Sequence, residues 1–503
     1  MVGNPLHIFY FDVFLNMKYV LFLLLLQVSV VSFSGTPELY HEEYRPQYHF
    51  TPAHRWIGDP CGTVKYDGRY LAYSWGAVTS NDLVHWRELN DHAITGLPKG
   101  IAAFTGSVIV DRNNTAGYGR NAFIAAFTSF DENSKKQSQS IAFSLDDGVT
   151  YQYYDLNPVI DIWSTEFRDP TVFWDEKYGR WVMLVAKALE KKVAFYGSGD
   201  LKHWMWLSEF GPMGDSERSW ECPDMFMLPV EGSKEKKWVL VLSVNWAREQ
   251  YFVGEFDGVK FIPDTPDSQP LYVDDGLDYY ASRVFRNFDD APSDSVYTIG
   301  WINTWDYATT APSTWGKGIW SVPRRLSLFR SPDGLRLRQL PAESLASLRQ
   351  SPVVYSRRLN AGISELPQIG KMGNVYEMRV TFHSDKPDVT GLNLCVGNGR
   401  NVTLTYNTES QYFIVDRTNS TDADIQKFDR IAYSRLPSVN GTVTLTILVD
   451  KSTIEIFANN GEKVYTMLTY ASDSQCGANL FSLRGNTEVE LTAWRMNSIW
   501  DVE

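Results

Sequence analysis

One stretch of this chain occurs twice, and the repeat restricts the folds open to it. "SNDLVHW" (Ser80 to Trp86) returns as "SGDLKHW" (Ser198 to Trp204). A matched pair precedes them: "GDPCGTVKYDGRYLAY" from Gly58 and "RDPTVFWDEKYGRWVML" from Arg168. In each, Asp-Pro leads into a strand, a turn ending in Gly-Arg-aromatic, and a second strand. A looser third copy, "ECPDMFMLPVEGSKEKKWVLVL", begins at Glu221. The unit is an acidic residue, a hairpin and then further strands. Repeated, aromatic-rich units of this size point to the blades of a β-propeller.

Elsewhere helical periodicity is scarce. Short alternating runs such as "RWVMLVAKA", "KKWVLVLSV", "TIEIFA" and "KVYTML" are separated by Gly, Asn and Asp clusters, which reads as all-β. A chain of 503 residues exceeds what one core usually fills, so two domains are expected. A short linking helix is expected around Glu343 to Arg349. From about Val353, strands alternate with turns without interruption, which predicts a β-sandwich packed against the propeller. The expected division is a leader at 1–34, a propeller at 35–340, a linker at 341–352 and a sandwich at 353–503.

"MKYVLFLLLLQVSVVSFSG" reads as a secretory leader, with Lys18 ahead of an apolar run from Tyr19 to Val31 and small residues Ser32 and Ser34 at the cleavage point. Met17 is a candidate start. The run is short for a membrane span, so a secreted, extracellular product without membrane partners is expected. Four sequons suit that route: Asn113, Asn401, Asn419 and Asn440. The net charge of −13 argues against nucleic acid as a partner. Of the four cysteines, Cys395 and Cys476 are candidates for a disulfide. No CxxC or HExxH occurs, so neither metal nor cofactor is expected. A homo-oligomer is left open.

The chemistry rests on "WIGDPCG". Alone, Asp59 beside proline and glycines is turn chemistry. Its recurrence argues for more, because equivalent positions in successive blades face one axis. Asp59, Asp169 and Glu221, at equivalent or nearby positions, would then converge on one funnel. Three such carboxylates suit glycoside hydrolysis: a retaining enzyme needs a nucleophile and an acid about 5–5.5 Å apart. Crowding keeps the acid protonated, whereas Arg168 beside Asp169 suggests an ionised Asp169 that stabilises charge.

These residues resemble the secreted β-fructofuranosidases, comprising invertases, inulinases and levanases with related fructosyltransferases. "WIGDPCG" resembles the family's W-M-N-D-P-N-G, "FTGS" its F-S-G-S, "FRDPTVFW" its R-D-P motif and "WECPDMF" its E-C motif. "DDGLDYYAS", "IGWINTWDYA" and "VPRRLSL" follow in the family's order, and "VDKSTIEIFANNGEKVYT" resembles a strand pair of its sandwich. The resemblance implies a five-bladed propeller with Asp59 as nucleophile, Asp169 as transition-state stabiliser and Glu221 as acid/base. It implies sugar contacts from Phe104, Thr105, Arg168 and Trp305, with Trp75 in "SWGAVTS" resembling a family W-G-H-A. The same aromatics also suit core packing, and Cys222 reads as a buried neighbour of the site.

The departures bear on substrate. Gly58 stands where the family has Asn, Cys61 replaces a later Asn, Ala77 replaces a His, and an F-Q-Y-N-P segment is missing before Trp75. A wider, less polar pocket is expected on that side. Hydrolysis of sucrose or fructan, fructosyl transfer through the same intermediate, and non-catalytic carbohydrate binding all stay open at this stage. An arabinan-cleaving relative would share the acids but should lack the E-C motif and the sandwich.

Overall fold

The computed structural model describes residues 39–265, 269–289, 295–428 and 430–500; the leader expected at 1–34 lies outside them. The described strands fall into seven sheets. The first five follow one another along the chain. Their leading strands are Gly62–Tyr66, Ile101–Asp111, Phe167–Asp175, Trp220–Pro229 and Tyr280–Val284. Each is the first of an antiparallel series. Each leading strand also packs beside the next, and Tyr280–Val284 returns to Gly62–Tyr66. The N-terminal part is therefore a propeller, with leading strands around its axis.

Close approach at that axis excludes side chains at some positions. A Cβ on Gly62 would lie 2.6 Å from Val108 Cγ2, so glycine lets the first two leading strands meet. The side chains of Thr63 and Thr171 tie one leading strand to the next. Their hydroxyls donate to the Val284 carbonyl at 2.8 Å and the Pro223 carbonyl at 2.7 Å.

The heptapeptide repeat is one turn built twice. Leu83 and Leu201 adopt positive φ (67° and 64°). The N–H of each donates to the hydroxyl of Ser80 or Ser198 at 2.9 Å. The following histidines, His85 and His203, bond back to Asp82 and Asp200. Short polar side chains that hydrogen-bond local backbone fix such turns, which explains why the motif recurs without lying at the cavity.

After the propeller, the 3₁₀ helix Glu343–Leu348 leads into strand Arg349–Arg358. That strand opens the first of two six-stranded antiparallel sheets, which enclose a core including Leu394, Leu404, Ile447 and Leu480. The C-terminal part is thus a sandwich. A buried ionic network joins the two parts. Arg324 contacts Asp274 and Glu455, and Glu455 also accepts from the Val322 N–H at 2.9 Å. His49 sits between Asp450 and Glu455, with each ring nitrogen 2.8 Å from a carboxylate oxygen.

No disulfide joins Cys395 and Cys476, contrary to the candidate pairing: all four cysteines are free. Cys476 instead turns its thiol to the Asp473 carbonyl. Among the described residues there is no group of His, Cys, Asp and Glu that could hold a metal ion, and no helix long and apolar enough to cross a membrane.

Candidate active site

A cavity of about 580 Å³ opens at the propeller axis. All eight residues singled out from the sequence line it: Asp59, Asp169 and Glu221, with Trp75, Phe104, Thr105, Arg168 and Trp305.

The acids reach it through irregular backbone. Pairing slips between Ala103 and Gly106, Arg168 and Thr171, Glu221 and Asp224, and Tyr280 and Arg283. Four leading strands therefore bulge near the cavity. Bulges re-aim side chains and break strict alternation. Asp169, Cys222 and Ala281 occupy matching places with positive φ (64°, 48° and 54°). Asp169 thus corresponds to Cys222, while Glu221 corresponds to Arg168 and Tyr280. The acids are neighbours rather than equivalents, because the third copy carries its acid one residue earlier. The bulge lets adjacent residues, Arg168 and Asp169, both line the cavity.

Their environments differ. Asp59 accepts from the Thr105 hydroxyl through Oδ2 at 2.8 Å, while its buried Oδ1 has no hydrogen-bond partner in the protein. Burial, and then the charge of Asp169, pushes the Asp59 carboxyl up to about 7. Asp169, 4% exposed, accepts from the Cys222 N–H through Oδ2 at 3.0 Å. The Cys222 thiol lies 3.6 Å from both Asp59 Oδ2 and Asp169 Oδ2. Burial raises that thiol well above its ordinary range, which keeps it protonated beside the two acids.

Glu221 is tethered on both oxygens. Arg168 donates to Oε1 from Nε at 3.0 Å and Nη2 at 2.8 Å, and the Tyr280 hydroxyl donates to Oε2 at 2.5 Å. The Arg168 fork therefore binds Glu221, not the adjacent Asp169 as sequence order suggested. Burial raises the Glu221 carboxyl; Arg168 pulls it down, Asp169 pushes it up, and Tyr280 lowers it further. Arg168 is itself placed by Glu166 at 2.7 Å and by Gln137 Oε1 at 3.1 Å.

Aromatic residues form the walls. Trp75 donates its indole N–H to the Phe104 carbonyl at 2.8 Å, and Phe104 stacks on Phe130 with centroids 4.5 Å apart. Trp56 and Trp305, which also line the cavity, stack at 6.1 Å. Trp56 and Tyr280 were overlooked in the sequence, as were the lining residues Gln137 and Glu166. Tyr280 lies within the quoted "DDGLDYYAS", but only the bulge register equates it with Arg168 and Glu221.

The chain matches two family descriptions: "Glycosyl hydrolases family 32 N-terminal domain" over residues 49–341, and "Glycosyl hydrolases family 32 C terminal" over 344–495. It is 34% identical to the levanase of Bacillus subtilis (strain 168), over 96% of this chain and 74% of the relative. It is 32% identical to the extracellular exo-inulinase inuE of Aspergillus ficuum, over 95% of this chain and 99% of the relative. Among solved structures, the exo-inulinase of Aspergillus awamori superposes with a TM-score of 0.84 at 30% identity, covering 92% of this chain and 100% of that one.

Proposed function

The chain belongs to family 32 of the glycosyl hydrolases, and on that premise we propose that it cleaves β-D-fructofuranosyl linkages of sucrose or fructan by a retaining mechanism. Asp59 attacks the anomeric carbon while Glu221 passes its proton to the departing oxygen. The glycosidic bond breaks and a fructosyl ester on Asp59 forms. Glu221, now a carboxylate, takes a proton from water. The resulting hydroxide attacks the anomeric carbon and frees Asp59. Asp169, fixed by the Cys222 N–H, faces the oxocarbenium-like charge that develops between them.

The observation that carries this reading is the contrast between two carboxylates of one cavity. Asp59 keeps a buried, unpartnered oxygen, whereas both oxygens of Glu221 are tethered. A nucleophile needs a free lone pair at the reacting carbon. An acid/base needs a fixed direction and a raised pKa, which burial supplies here. Phe104, Thr105, Arg168, Trp305 and Trp75 supply the sugar contacts.

Transfer to a sugar acceptor is the second reading. Gly58 and the absent segment before Trp75 leave the Trp56–Trp305 stack as a broad apolar wall beside Asp59. The five sheets are read as five blades, supported by the closed succession of leading strands. The division at 340, 352 and 353 is kept as a proposal: the break between the two family matches supports the first boundary, while strand Arg349–Arg358 of the sandwich runs across the other two. Secretion through the leader read at 1–34 is part of this proposal and is supported by relatives named as extracellular. Glycosylation is proposed at Asn113, Asn419 and Asn440, which are exposed. It is proposed also at half-buried Asn401, whose amide donates to Asn393 and Thr403.

The test compares leaving groups. Glu221→Ala is expected to lose about 10²–10⁴-fold on sucrose, the scale of general acid catalysis. It should lose far less in the first step on an activated fructoside, with azide then speeding release of the fructosyl enzyme. Equal losses on both substrates, with no azide rescue, would remove Glu221 from the acid role. Chromatography of products from sucrose, inulin and levan separates hydrolysis from transfer.

A further inference from the structure

Trp163 stands out on the propeller surface. It is 82% exposed, and its φ is +60°, where a bulky side chain is an outlier. A strained, exposed indole costs stability in two ways, and such strain concentrates at ligand-binding positions. It lies in strand Ile160–Ser164, which pairs irregularly with Gln137–Ser144.

The surroundings hold the ring ready. Asp161 accepts the Trp163 N–H through Oδ1 at 2.8 Å and the Lys136 ammonium through Oδ2 at 2.8 Å. That ammonium lies 4.2 Å from the indole centroid. One carboxylate thus fixes both the unusual backbone and the cation on one ring face. With so much of the ring exposed, the other face is open to solvent. Prior ordering of this kind lowers the entropic cost of binding.

The position relative to the acids is equally specific. Ser164 is the register partner of Gln137, and its hydroxyl accepts the Glu166 N–H at 3.0 Å. Gln137 and Glu166 both line the cavity and both accept from Arg168, which holds Glu221. Through its neighbour Ser164, Trp163 is thus linked to the Gln137 and Glu166 pair that holds Arg168 and, through it, Glu221, the residue that faces the leaving group in the reading above.

We infer that Trp163 is a platform for a sugar unit beyond the cleaved linkage, so that it sets the preference for longer fructans over sucrose. The C–H face of a sugar ring would stack on the open indole face. This rests on the fructosidase reading above and extends it to chain length.

The test measures kcat/KM of the full chain on sucrose and on a linear inulin-type oligosaccharide of several units. For Trp163→Ala and Trp163→Gly, the ratio of oligosaccharide to sucrose specificity is expected to fall by about five- to tenfold, through KM. Trp163→Phe should largely restore it. Glycine also relieves the positive φ, so the Tm of that variant should equal or exceed that of the parent, which excludes a folding defect. An unchanged ratio in the Ala and Gly variants, or an equal fall in the Phe variant, overturns the inference while leaving the fructosidase reading in place. A parent enzyme silent on both substrates overturns that reading and this inference with it.

Discussion

The hydroxyl of Tyr280 donates to Glu221 Oε2 at 2.5 Å, from the neighbouring sheet and from the place in its strand that Glu221 occupies in its own. Burial keeps the Tyr280 phenol far above its ordinary pKa, so it acts as a neutral donor. Such a donor favours the ionised form of Glu221 and lowers its pKa.

Removing that donor should move the pH profile upward. In Tyr280→Phe the Glu221 proton is held to higher pH, so the basic limb of kcat/KM, which reports the essential acid, shifts to higher pH. A pH series of initial rates on sucrose checks this. A basic limb that stays in place or moves down would separate Tyr280 from the acid.

Asp59→Asn should abolish turnover and yet stabilise the fold at neutral pH. The Asp59 carboxyl titrates near 7 when folded, against 3.8 as its ordinary value. A raised folded pKa favours the fold fully only below 3.8, and that contribution is lost as pH rises through 7. The amide removes the penalty of a buried charge beside Asp169. The Tm of the variant should exceed that of the parent at pH 7.5 and above, and the gap should close toward pH 4. Thermal melts at several pH values decide it.

Gly58→Asn, which introduces the residue that the family resemblance implies at this place, should weaken catalysis rather than improve it. A Cβ at position 58 would lie 3.0 Å from the Trp56 indole nitrogen, and the Gly58 carbonyl is already held by Trp320 at 2.9 Å. The indole must give way, which disturbs its stack on Trp305. A few-fold loss of kcat/KM on sucrose is expected, because the displaced ring lines the cavity beside Asp59. Steady-state kinetics on purified variant and parent measure it.

His49→Gln should cost stability in a pH-dependent way. Burial opposes charge on His49, but the hydrogen bonds of Asp450 and Glu455 outweigh it and push its pKa up to about 9. The stabilisation is present in full below 6.5 and is lost as pH rises through 9. Breaking one partner of a buried ionic cluster costs about 3–5 kcal/mol. The variant should therefore melt well below the parent at pH 6, and the difference should shrink toward pH 10.

The all-β class, the propeller and sandwich, and the convergence of the carboxylates of Asp59, Asp169 and Glu221 on one cavity were legible in the chain itself. Strand periodicity and turn residues are local properties, and a repeated Asp-Pro entry carries its position with it. The short helix after the propeller was legible for the same reason: Glu343–Leu348 is 3₁₀ helix, as expected there.

What lay between sheets was not legible. Sequence order set Arg168 beside Asp169, whereas the folded chain gives its guanidinium to Glu221. The placing of Trp56 at the cavity and of Tyr280 against Glu221 depends on bulges and on how leading strands meet around an axis. Those are relations between residues tens to hundreds of positions apart, and no local pattern records them. The sequence by itself determined which strands form and which acids are available. Only the tertiary structure decided which oxygen is left free and which is tethered, because hydrogen-bond partners and burial exist only once distant strands are packed.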